Sequence, residues 1–354
     1  MKQSLKIGSA FVGLIVGAGF ASGQEVMQYF TSFGIWGTVG AIITGLLFIF
    51  LGYTFAQLGA SLKASSHRAV LYHIGGKYIG PILDLVITFF LFGVAVVMFA
   101  GSGSTFEQMF GISPMVGSII MVVLTILTLL LDTNKIISII AAVTPYLIAV
   151  ILIIVAYSIF TMDISLTTAD AIAKEQTSAS SNWLLSAFLY VSYNISAGAA
   201  LLIIMAGQVK DKKVAGIGGI IGGAILGLLI LLIHTGMLVR IDIIQGVDMP
   251  TLELATAIHP AVGILTAIAL LGMMYNTAVG MFYSFAARFF TPDTKTFKIA
   301  VVIIGALGFF ASLFGFTNLV SSVYSLMGYL GFALIILAII AWFRKLKDNN
   351  LKEV

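Results

Sequence analysis

The chain has 354 residues, 60% of them hydrophobic and only 9% charged, with a formal net charge of +4. A soluble domain needs about 25% charged residues to coat its surface, so a soluble globule is excluded. The lack of cysteine excludes disulfides and thiolate metal sites, and His67, His73, His234 and His259 stand too far apart in pattern to suggest a metal centre.

Apolar runs of about 20 residues recur along the whole length and predict transmembrane helices. In chain order the ten expected spans are 5–33, 36–61, 79–109, 114–131, 135–161, 182–208, 214–239, 261–289, 297–316 and 319–343. The predicted fold class is an all-α membrane protein without a soluble domain. One integral membrane domain fills residues 1–354, ending in a short tail, 344–354. The first run is too long for a signal peptide and lacks a cleavage site, so it is expected to stay in the membrane.

Span 1 contains GLIVGAGFASGQE, residues 13–25. Glycine costs about 1 kcal/mol per residue in a helix interior, and Gly13, Gly17, Gly19 and Gly23 fall in one short window. A straight helix of 29 residues would also measure about 43 Å, against a hydrocarbon core of about 30 Å. Two half-helices joined by an extended turn fit both facts. Such a break frees backbone groups that lipid cannot satisfy, so they must face protein, water or a solute. Amides at the start of a half-helix suit a carboxylate, and carbonyls at the end of one suit a cation. Glu25 lies just past the break, in contact with an aqueous cavity or snorkelling toward the interface; in the cavity it pairs with a cation or amine, or carries a proton.

Between spans 2 and 3, residues 65–81 read as a separate amphipathic element. Span 6 carries SYNISAGAA (192–200), whose Tyr193, Asn194, Ser196 and Gly198 predict a second break. In span 7, Gly219, Gly223 and Gly227 form a packing face at four-residue spacing. Residues 249–260 read as a short helix between spans 7 and 8. Span 8 holds a polar patch that includes Tyr275, Asn276, Thr277, Tyr283 and Ser284. Span 10 opens with Ser321, Ser322, Tyr324 and Ser325.

With the N-terminus inside, 16 of the 18 basic residues fall on the cytoplasmic side, and only Lys174 and Arg240 lie outside. Both termini are therefore expected in the cytoplasm, in a multi-pass protein of the cell membrane. SAFVGLIVGAGFASG from Ser9 reappears weakly as SAFLYVSYNISAGAA from Ser186, half a chain later. Two repeats of five helices, about 1–161 and 182–343, must face opposite ways across the bilayer. A 5+5 inverted repeat with discontinuous helices 1 and 6 is a transporter architecture.

Taken together, GLIVGAGFASGQE and MYNTAVGMFYSFAARF resemble the bacterial YkvI-type membrane proteins of the amino acid–polyamine–organocation (APC) superfamily, with its LeuT-like fold. The pattern at Gly13, Val16, Gly17 and Gly19 is similar to the unwound first helix of neurotransmitter:sodium symporters. The resemblance implies a Na+ site built from the Gly13 and Val16 carbonyls with Asn276 and Thr277, next to Met273. It also implies a substrate site of Gly17, Ala18, Gly19, Phe20, Ser22, Glu25, Tyr193, Asn194 and Ser196, in which the Gly17 and Gly19 amides meet a carboxylate. The symporters carry a hydroxyl where Asn276 stands, an asparagine where Phe20 stands and a proline where Glu25 stands, so the coupling ion is Na+ or H+.

These features predict an ion-coupled symporter for a small polar or zwitterionic solute, an amino acid or amine, with no enzymatic activity and no cofactor. There is no nucleotide-binding loop, and the basic residues signal topology, not nucleic acid. The expected partners are the small-molecule substrate and the lipid bilayer. An ion channel or passive pore is the competing class. An intramembrane hydrolase using GSGS (101–104) with His234 is a remote one.

Overall fold

The computed structural model describes residues 2–64, 67–130, 143–209, 211–292 and 294–350, and every regular element among them is helical. The first expected span is three pieces: α1 (Lys2–Ile15), α2 (Ala18–Ser22) and α3 (Gln24–Tyr29), followed by a 3-10 turn, Thr31–Phe33. Then come α4 (Ile35–Ser61), α5 (His67–Phe110), α6 (Pro114–Leu129), α7 (Val143–Phe160) and a short α8 (Leu166–Ala173). The second half holds α9 (Trp183–Gly207), α10 (Lys212–Leu238), α11 (Ile241–Ile244), α12 (Pro250–Ile258), α13 (Pro260–Ala286) and α14 (Lys295–Ser312). It ends with α15 (Phe316–Leu319), a π-helical turn at Val320–Tyr324, and α16 (Ser325–Asn350).

Six of these helical stretches are long and apolar enough to cross a membrane, and α6 and the described part of α7 are shorter apolar helices. Exposed Leu, Ile, Val and Phe side chains cover their outer faces, as lipid contact requires. The beginning of expected span 5 lies outside the described residues.

Two expectations are corrected. Residues 65–81 do not form a separate element: from His67 onward they belong to α5, which runs on through Pro81. Span 6 is not broken, because α9 is one continuous helix from Trp183 to Gly207. Its polar side chains close on their own helix: Asn194 Nδ2 donates to the Tyr190 carbonyl at 3.0 Å, and Ser196 Oγ to the Ser192 carbonyl at 2.8 Å. Side chains satisfied in this way bend a helix at most and give it no reason to unwind.

The helices form two packed groups. In one, α4 lies against α10 and α9, while α1 lies against α10 and α9. In the other, α5 packs on α13 and α6, and α14 on α6 and α5. α7 touches α10 and α13, and α16 touches α9 and α5, so both bridge the groups.

Glycines set the α4–α10 and α1–α10 seams. A methyl carbon at Gly219 would stand 2.2 Å from the Gly52 carbonyl oxygen, and one at Gly227 would stand 2.5 Å from Gly45 Cα. On the α1 side, Gly8 meets Gly218 and Gly222 in the same way. In lipid there is no hydrophobic drive between helices, so this close backbone approach is itself the adhesive.

On the face away from the N-terminus, α8 is tied to α4. Asp170 Oδ1 accepts from the Ile35 amide at 2.9 Å, across Gly34 at φ +57°. The hydrogen bond from Lys174, reinforced by the Ile35 amide, holds the Asp170 carboxyl below its ordinary range. The tie is therefore complete above the usual carboxylate range and loosens only in stronger acid. Gly219→Val is expected to destabilise the fold by about 1–3 kcal/mol through overpacking. Gly280→Ala, inside α13 where a methyl group meets open space, is expected to leave the fold as stable or to stabilise it by up to about 1 kcal/mol. Thermal unfolding in detergent compares the two.

Candidate functional site

The site begins at the interruption of the first span. Gly17 is extended at φ −90°, ψ −176°, and its amide turns back to the Ile15 carbonyl at 2.7 Å. That tight turn takes from the Gly13 carbonyl the partner a continuous helix would give it. A methyl group at Gly13 would meet nothing within 4 Å, so this side of the break faces open space. The chain then makes one turn of helix and swivels at Gly23, whose φ of +83° is a conformation that glycine adopts without strain. The hydroxyl of Ser22 braces the swivel, donating to the Gly19 carbonyl at 2.7 Å and accepting from the Gln24 amide at 3.2 Å.

Just past the swivel, Glu25 is only 5% exposed. Its Oε1 lies so close to Gly19 that a methyl carbon there would be 2.0 Å away. Its Oε2 accepts the hydroxyl of Tyr193 from α9. Four tyrosine rings gather around this carboxyl. Tyr193 stacks on Tyr324 with centroids 4.9 Å apart, and it meets Tyr190 at 5.4 Å and Tyr29 at 5.7 Å. Tyr324 belongs to the π-helical turn before α16, an irregularity that often marks a functional position. Tyr29 is also held to Ser325 at 3.3 Å. Among the described residues, the buried Tyr190 hydroxyl has no partner at hydrogen-bond distance and angle.

On the face away from the N-terminus the site is roofed. Asp248, between α11 and α12, accepts from Ser104 of α5 at 2.6 Å and from the Thr317 hydroxyl of α15. Thr317 also receives Gln24 at 3.1 Å on its hydroxyl and Gln28 at 3.0 Å on its carbonyl. A small cavity of about 140 Å³ lies beside it, lined in part by Gln24, Met27, Asp248 and Thr317 and reaching the exposed Thr177 and Gly246. On the other side, a cavity of about 400 Å³ opens between α5, α9 and α13. Ser196 lies in its wall, with Phe90, Met281, Tyr283, Ser284 and Arg288.

Of the residues singled out in the sequence, Ala18, Gly19, Phe20, Ser22, Glu25, Tyr193, Asn194 and Ser196 are all buried, and Glu25 joins Gly19 to Tyr193. Gly17 is half-buried, and its amide is committed to Ile15 and not free for a carboxylate. Asn194 and Ser196 are bonded to their own helix. α13, which carries Met273, Asn276 and Thr277, packs on α2, immediately beyond Val16. The Asn276 Oδ1 is buried and unpartnered. An amide oxygen left without a protein partner is a donor of the kind a hard cation accepts.

The sequence reading missed Tyr29, Tyr190 and the roof of Asp248, Thr317 and Gln28. Helical spacing carried a signal for the first two: Tyr29 is four residues after Glu25, and Tyr190 three before Tyr193. The hydrolase pairing does not form, since Ser102 bonds the Gly117 carbonyl and Ser104 bonds Asp248. His234 instead bonds Thr31 and Thr38.

No protein-family model matches the chain. It is similar to the uncharacterized membrane protein YkvI of Bacillus subtilis (strain 168), 28% identical over 327 residues that cover 92% of each sequence. Among solved structures it is similar to Mhp1 in an inward-facing conformation, with a TM-score of 0.63, 14% identity, and 95% of this chain and 74% of that one covered. It is also similar to MhsT in complex with L-phenylalanine, with a TM-score of 0.58, 18% identity and coverage of 92% and 87%. These neighbours are LeuT-fold transporters, so the fold is LeuT-like, and the resemblance to YkvI-type membrane proteins holds.

The natural chain has no cysteine, which makes the roof testable by labelling at Met27→Cys, inside the small cavity. Removing both Asp248 contacts with Asp248→Ala is expected to raise the rate of modification by an impermeant maleimide about tenfold or more. That is the effect of losing charge-assisted hydrogen bonds worth about 1.5–3 kcal/mol each.

Proposed function

We propose that this protein is a secondary active transporter that moves a small polar or zwitterionic solute by alternating access, coupled to Na+ or H+. One observation carries the reading. In a LeuT-like helical fold, the first span is interrupted beside a buried carboxyl and roofed on one face, while a separate cavity opens between α5, α9 and α13. A transporter caught with one side closed has this form.

In this reading ten spans cross the membrane as two inverted repeats, with the interruption confined to the first span. Both termini are cytoplasmic, as the basic residues favour. The larger cavity is then the inward path, and the Asp248–Thr317 roof is the outward closure. The likeness to Mhp1 in its inward-facing form supports that assignment.

The substrate site is bordered by Gly17, Ala18, Gly19, Phe20, Ser22 and Glu25 of α2 and α3 and by Tyr193, Asn194 and Ser196 of α9; Glu25 and Tyr193 touch in this conformation and part to admit the solute. An amino acid or amine fits a site in which a carboxyl stands among aromatic rings. L-phenylalanine bound to MhsT supports the same class. Where Na+ is the coupling ion, Gly13, Val16, Asn276 and Thr277 hold it, next to Met273. The four-helix group of α1, α4, α9 and α10 turns as a unit, because its glycine seams leave no play within it. A continuous pore is disfavoured by the Asp248 roof.

Purified protein in liposomes is expected to accumulate labelled amino acids or amines above protein-free vesicles under an inward Na+ or H+ gradient. Collapse of the gradient should abolish accumulation. Flux that persists without any gradient, with unitary conductance in a planar bilayer, is the result of a channel and would reject the proposal.

A further inference from the structure

We propose that Glu25 holds a transferable proton, and that its neutral carboxyl latches α3 to α9 in the conformation described here. The latch is a property of the protein alone; its use in coupling rests on the transporter reading above and makes H+ the driving ion.

Glu25 is buried in a membrane span, and its carboxyl accepts a hydrogen bond from the Tyr193 hydroxyl. No lysine, arginine or histidine pairs with it among the described residues. An ionised carboxylate so placed would have neither water nor a counter-charge, and such groups neutralise instead. Every neighbouring element gives the same answer. α9 presents Tyr190 and Tyr193, the π-helical turn presents Tyr324, and α3 itself presents Tyr29. From α10, His234 is turned to Thr31 and Thr38, and from α12, Glu253 is bonded to Gln108. The surroundings are therefore hydroxyls and rings, without a positive charge.

The geometry also favours a proton over a larger ion. One carboxyl oxygen rests against the Gly19 backbone and the other meets the Tyr193 hydroxyl, so no gap is left for a metal ion with its ligands. A neutral carboxyl has both a donor and an acceptor, and either satisfies Tyr193. Loss of the proton balances simply: the O–H bond breaks, the electron pair stays on Glu25, and the proton leaves to water. The charge left behind is tolerated only if the group moves out to water, which parts α3 from α9. Since α3 also carries Gln24 and Gln28, its departure pulls on Thr317 and the roof. Proton loss and outward opening are thereby one event.

The test is infrared difference spectroscopy on the full chain in lipid nanodiscs, titrated across neutral pH without substrate. The expected result is one protonated-carboxyl C=O band that persists at neutral pH, where exposed carboxyls with ordinary values near 4 are ionised. Glu25→Gln should lose that band, and Tyr193→Phe, which keeps the carboxyl, should move it to higher frequency. A carboxylate signature for Glu25 throughout the range overturns the proposal. So does a C=O band that Tyr193→Phe leaves unmoved, which covers the case of a Glu25→Gln chain that does not fold. In liposomes, substrate uptake should acidify the lumen, and Glu25→Gln should abolish that acidification. Uptake driven by Na+ with an unchanged luminal pH overturns the coupling role and leaves the transporter reading intact.

Discussion

A peptide group in hydrocarbon has to find a partner, and a carboxyl there has to shed its charge or find a counter-charge. Both requirements meet within ten residues of the first span, and much of the surrounding structure can be read as their consequence. The chain leaves the helix at Val16 and Gly17, re-enters it for one turn, and leaves again at Gly23. What makes this affordable is the company kept by the segment: Ser22 closes on Gly19, Glu25 on Tyr193, and Gln24 and Gln28 on Thr317. One tie closes within α2 and the others reach α9 and α15, so the broken span is held from two directions as well as by its own turn.

The rest of the molecule supplies a rigid frame for that segment. Seams in which glycine meets backbone at van der Waals distance run between α4 and α10 and between α1 and α10. Across the other boundary, α9 and α16 meet through Ser192, Gly328 and Gly331, with Ser192 donating to the Gly328 carbonyl at 2.6 Å. Small residues thus fix the positions of α9 and α10, the two helices that hold Tyr193 and His234. The aromatic cluster inherits its precision from these contacts, because large rings pack to interior density only when their backbones are fixed.

How much of this the sequence disclosed depended on how local the physics was. Most span positions followed from hydropathy, and the first interruption from four glycines in one short window, because each effect acts on neighbours in the chain. The break expected at Tyr193–Gly198 was read from polar residues and a glycine in an apolar run, and that pattern misled. Asn194 and Ser196 return their hydrogen bonds to their own helix, and the segment has no glycine in a left-handed conformation. The roof joins residues from α3, α5, α15 and the segment before α12, far apart in the chain, and nothing in the pattern of any one segment announces the others. The π-helical turn at Val320–Tyr324 was hidden for a similar reason: its serines and tyrosine read as ordinary polar lining, and its extra residue is set by packing.

Gly23 has a mechanical side. It lies between two helices of five and six residues, and its backbone is the one joint between them. Rotation about that joint can swing α3 and everything hung from it without dragging α2 along. The pieces of span 1 are thus a crank and a fixed axle, which allows the lid above and the floor below to be worked in sequence by one short arm.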